Sequence, residues 1–93
     1  MLVTIRGKRY RLRFVPGLKH YGMCDAPDKA GKEIKVRRSL RGQLKLDTII
    51  HECLHAALWD LGEESIDQAA TDIARVLTRL GYRDGSEREE SSE

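Results

Sequence analysis

Only two cysteines occur in 93 residues, too few for a disulfide framework, and Cys53 sits inside an apolar helical pattern where buried thiols are common. Both Cys24 and Cys53 are expected to be free thiols. Five aromatic residues leave little to anchor a large core, and a chain this short buries only a modest share of its surface. One compact domain over residues 1–83 is therefore expected. No run reaches the roughly 18 apolar residues that a membrane span requires, and the N-terminal MLVTIRGKRY lacks the apolar stretch of a signal peptide. These absences predict a protein that crosses no membrane and works in the cytoplasm. The composition that remains, 40% hydrophobic and 34% charged, is that of an ordinary soluble globule.

The net charge of +2 conceals a division. Residues 1–46 carry 13 Lys/Arg against 3 Asp/Glu, while residues 47–93 carry 4 against 12. A first half near +10 is able to steer the protein to nucleic acid or an acidic partner. The basic residues come singly or in pairs rather than in one block, however, which is the pattern of solvated strand faces. The last ten residues, DGSEREESSE, have no apolar anchor and are expected to form a disordered acidic tail.

Residues Leu2 to Val15 alternate apolar and basic around Gly7-Lys8, with Tyr10, Leu12 and Phe14 on one face and Arg9, Arg11 and Arg13 on the other. That period of two is a β-hairpin signal. Pro16-Gly17 breaks the run, residues 20–24 form a third short strand, and Glu33–Arg37 a fourth near a sheet edge. From Asp47, a candidate N-cap, the period becomes helical, with apolar residues at Ile49, Ile50, Cys53, Leu54, Ala57, Leu58 and Leu61. Gly62 interrupts it. A second amphipathic helix follows through Ile66, Ala70, Ile73, Leu77 and Leu80, with Ser65 and Gln68 at capping-box spacing and Gly81 as C-cap. The fold class expected is α+β: a small antiparallel sheet of three to four strands, then a two-helix hairpin.

The chemistry lies in His51-Glu52-Cys53-Leu54-His55, an H-E-x-x-H pattern inside the first helix. Four residues of α-helix advance about 6 Å and complete slightly more than one turn, so both imidazoles project from one face toward a single ion. Zn²⁺ accepts imidazole nitrogens, and a catalytic site adds one more protein ligand while leaving a position open. Glu52 is then placed beside the metal as a general base, taking a proton from an attacking water and returning it to a leaving amine. Two solvated histidines and a glutamate would show the same pattern by chance. Against that stand the apolar residues around the motif, the small Ala56 and Ala57 after it, and the fact that two of the chain's three histidines fall at this spacing.

Across Asp47-Thr48-Ile49-Ile50-His51-Glu52-Cys53-Leu54-His55-Ala56, the chain resembles the single-domain zincins among phage-encoded, SprT-like and ImmA/IrrE-like metallopeptidases. The resemblance implies peptide-bond hydrolysis, a small sheet whose edge strand holds an extended peptide, and a third ligand from the following helix. The metzincin extension with a third histidine is absent. Gluzincins use a Glu in a run resembling Glu-Ala-Ile-Ser-Asp, and Glu64-Ser65-Ile66-Asp67-Gln68 is similar, which implies Glu64 as the ligand. Gln68 stands where those families have an Asp that supports a histidine. Asp67 competes, because Asp67-Gln68-Ala69-Ala70-Thr71 resembles the Glu-x-x-Ala-Asn run of the ImmA/IrrE group. Asp72 competes because a helical hairpin turning near Gly62 brings it opposite the motif.

Two functions follow as expectations. The first is a zinc metallopeptidase acting on a peptide or protein substrate, with Glu52 catalytic and His51, His55 and Glu64 on Zn²⁺. The alternative is a non-enzymatic zinc domain that binds nucleic acid or a protein partner through its basic half. His20 and Cys24 are set aside as ligands because they precede a turn-rich loop rather than sit on a rigid element.

Overall fold

The computed structural model describes residues 1–83. The acidic tail expected at residues 84–93 lies outside them. Four strands and two helices follow one another as β1 (Leu2–Ile5), β2 (Lys8–Val15), β3 (Gly22–Cys24), β4 (Glu33–Arg37), α1 (Gly42–Ala57) and α2 (Glu63–Arg79). The fold is α+β. Among the described residues, no helix is long and apolar enough to cross a membrane.

The hairpin turns at Arg6-Gly7, one residue earlier than the sequence suggests, with positive φ at both positions (48° and 78°). A two-residue turn of this kind matches the twist of its strands and favours glycine at the second position. Arg6 also donates from Nη1 to the carbonyl of Ala57 at 2.9 Å. Its cation thereby meets the negative end of α1.

The sheet order is β1-β2-β4-β3. It is mixed rather than antiparallel: β1 and β3 run antiparallel to their neighbours, but β2 and β4 are parallel. Strand β4 is thus interior, not at an edge. The reason is burial, since Ile34 and Val36 are fully buried between Tyr10 and Leu12 of β2 and the helical layer, while the three residues of β3 carry little that needs covering. Arg37 secures the β2–β3 connection by donating to the carbonyls of Leu18 and Lys19.

Helix α1 begins at Gly42, five residues before the expected cap. Asp47 lies inside it and accepts a 3.0 Å hydrogen bond from the Thr71 hydroxyl of α2. Nothing between Gly42 and Asp47 breaks a helix, so the apolar pattern extends backward. Helix α2 starts at Glu63 with Gly62 as N-cap, and Ser65 makes no capping hydrogen bond. Ile66, Ala70 and Ala74, all fully buried, form the α2 face toward α1, and the two alanines allow close approach. At its far end Gly81 (φ +92°) donates to Thr78 and Tyr82 donates to Leu77. This paired arrangement closes the helix as the glycine suggests.

Candidate metal centre

His51 and His55 project from α1 one turn apart, with their Nε2 atoms 3.1 Å from each other. The first residue of α2 completes the group. Glu63 places Oε1 2.9 Å from His51 Nε2 and Oε2 2.9 Å from His55 Nε2. Behind His51, Asp67 Oδ1 lies 3.2 Å from Nδ1. A carboxylate there fixes the imidazole so that Nε2 offers its lone pair forward.

Ligands at about 2.0–2.1 Å in a tetrahedral shell stand about 3.3 Å from one another, close to the spacing of these three groups. Two imidazole nitrogens facing each other at 3.1 Å cannot both donate, whereas a cation satisfies both lone pairs together. His51, His55 and Glu63 form a group able to hold one metal ion. No known protein family, curated protein or solved structure matches the chain.

The third member of the group is Glu63, where the sequence points to Glu64. The difference lies in the phase of α2, because each residue rotates the side chain by about 100°. Glu63 precedes Ile66 by three positions and Ala70 by seven, so it shares their face toward α1. Glu64 and Asp72 each stand two positions from a buried residue of that face and project outward. Glu64 is exposed and does not line the cavity described below, and Asp72 pairs with Arg75 at 3.2 Å. Asp67 is present at the site, but against the rear nitrogen of His51.

Glu52 faces a cavity of about 670 Å³ that also contains His51, His55, Glu63 and Asp67. Strand β3 and the two residues before it, His20 and Tyr21, form the opposite wall, and Trp59 lines the end beyond His55. Glu52 is buried, at 7% exposure. Burial pushes its carboxyl up to about 7, with Glu63 adding to the rise and His51 opposing it. The Cys24 thiol is pushed up to about 12, first by burial and then by Glu52, Asp25 and Cys53. It stays a neutral thiol and does not join the ligand group, and neither does His20.

The raised Glu52 carboxyl has a measurable consequence for the metal-free protein. The folded state holds this proton more tightly than the unfolded chain, so the contribution of Glu52 to stability is greatest below the ordinary carboxylate value of 4.5 and is lost as pH rises through about 7. With allowance for residual solvation the loss is about 2 kcal/mol. Urea unfolding in chelator at pH 4.5 and pH 8 is expected to show that decline in the wild type relative to Glu52→Gln, which lacks the titrating group. Parallel behaviour of the two proteins would contradict it.

Proposed function

We propose that the chain is a small zinc-dependent metallopeptidase in which His51, His55 and Glu63 hold the ion and Glu52 is the general base. The observation that carries this reading is the buried carboxyl of Glu52 in the same cavity as the two histidines and Glu63, beside an exposed strand edge. Two imidazoles and one carboxylate are a donor set suited to zinc. A zinc ion bound there supplies Lewis acidity, polarising the scissile carbonyl and acidifying water. Glu52 takes the proton of the attacking water and delivers it to the leaving amine. Asp67 keeps His51 oriented. Asp67→Asn is expected to weaken zinc binding about 10- to 100-fold, read by competition with a chromophoric chelator.

The substrate backbone has a defined partner. In the antiparallel β3–β4 pair, Tyr21 accepts from Arg37 and Asp25 donates to Glu33, so alternate residues from Tyr21 to Asp25 direct their amides and carbonyls at β4. The intervening Gly22 and Cys24 direct theirs to the open edge. An extended peptide adds there as a further strand, with backbone hydrogen bonds to Gly22 and Cys24, and passes along the cavity. The interior β4 has no such edge. The test is cleavage of unfolded protein substrates by protein carrying one zinc per chain; a zinc-loaded protein inert toward every such substrate would overturn the assignment.

A second reading rests on the opposite face of the sheet. Arg9, Arg11 and Arg13 lie exposed in a row on β2, with Lys35 next to Arg13 in the β2–β4 register, a surface suited to a polyanion such as nucleic acid. It predicts binding that weakens steeply with salt and survives Glu52→Gln.

A further inference from the structure

Gly22 is unlike the glycines that serve turns. Gly7, Gly17, Gly31 and Gly81 have positive φ and open space where a Cβ would be, whereas Gly22 has no positive φ and no room. A Cβ on Gly22 would stand 2.8 Å from both Cγ and Oε2 of Glu52 and 2.9 Å from Cγ2 of Thr48. Glycine weakens a strand interior, and in a strand it marks the close approach of another group. Here that group is the carboxyl of Glu52.

We propose that Gly22 is a positioning residue for the reaction: the missing side chain lets the Glu52 carboxyl rest against the edge strand, where the substrate backbone runs. The inference rests on the peptidase reading above. The same residue has two duties, presenting its backbone to the substrate and leaving room for the base beneath. A methyl group at this position needs the Glu52 side chain to swing away or β3 to lift off α1. Either movement takes the base out of line with the scissile bond, and a misplacement of about 1 Å in a reacting group costs roughly 10²-fold in rate. The three atoms nearest to the added carbon belong to Glu52 and Thr48 and none to His51, His55 or Glu63, so zinc affinity is expected to be spared.

The experiment compares wild type with Gly22→Ala by peptide hydrolysis, chelator competition for zinc and thermal unfolding, and repeats the unfolding in a Glu52→Ala background. Expected are a kcat lower by about 10²-fold, with KM and zinc affinity within about threefold of wild type. Glu52→Ala removes two of the three close contacts, so Gly22→Ala lowers Tm less in that background than in the wild type. Unchanged kcat, or zinc affinity lost in step with kcat, would overturn the inference. So would restoration of kcat in Gly22→Ala by Thr48→Ser, which relieves only the Thr48 contact. If wild-type protein loaded with zinc cleaves nothing, the peptidase reading fails by itself. The unfolding comparison then decides the contact, and an equal Tm cost in both backgrounds rejects it.

Discussion

Glu52→Gln is expected to lower kcat by about 10²- to 10⁴-fold, the usual contribution of a positioned general base, while the protein still binds one zinc. The amide preserves the shape of the side chain and removes its ability to take a proton. Glu52 is not among the atoms gathered at the candidate metal centre, so metal retention separates loss of the base from loss of the site. Its close packing against Gly22 suits the role, since a general base must be held within hydrogen-bond reach of the proton it takes. Hydrolysis of one peptide by both proteins at matched zinc occupancy is the measurement. Equal rates would remove Glu52 from the mechanism.

The second large effect distinguishes two adjacent glutamates. Glu63→Ala is expected to weaken zinc binding by at least about 10²-fold, more than loss of an outer-shell partner costs, and activity at limiting zinc should fall in proportion. Glu64→Ala should leave both close to wild type. The contrast follows from α2 geometry, with Glu63 oxygens 2.9 Å from both histidines and Glu64 exposed on another face. Both positions lie in the first turn of α2, where a carboxylate favours the helix dipole by a few tenths of a kcal/mol. Each substitution therefore carries a similar small stability cost, and unequal zinc affinity is not attributable to unfolding. Chelator competition on the two variants decides between them.

The common face of His51 and His55 was readable from the sequence because their relation is local: a spacing of four within one helix sets it whatever surrounds it. Alternation likewise sorted Tyr10, Leu12 and Phe14 from Arg9, Arg11 and Arg13, and Gly81 signalled the end of α2. Alternation says which face a residue takes but not which strand lies next to it, so the interior place of β4 and its parallel pairing with β2 emerged only from the burial of Ile34 and Val36. The third member of the candidate metal centre depends on the phase of α2. Ser65 looked like a cap, yet the helix starts at Glu63, and an uncertainty of one residue turns a side chain through about 100°. Glu63 and Asp67 stand three positions before Ile66 and Ala70 of the buried row, on the flank of the face that meets α1. Gly22 gave no signal in the sequence, because the carboxyl that excludes a side chain there is thirty residues away.

Zinc-edge X-ray absorption on the purified protein, with metal content measured on the same sample, tests the metal centre most directly. One zinc per chain, with two imidazole nitrogens at about 2.0 Å and oxygen ligands at about 2.0–2.2 Å, is the expected result, and Glu63→Ala should alter the oxygen contribution. A protein that takes up no zinc, or binds it without imidazole ligation, would contradict the account.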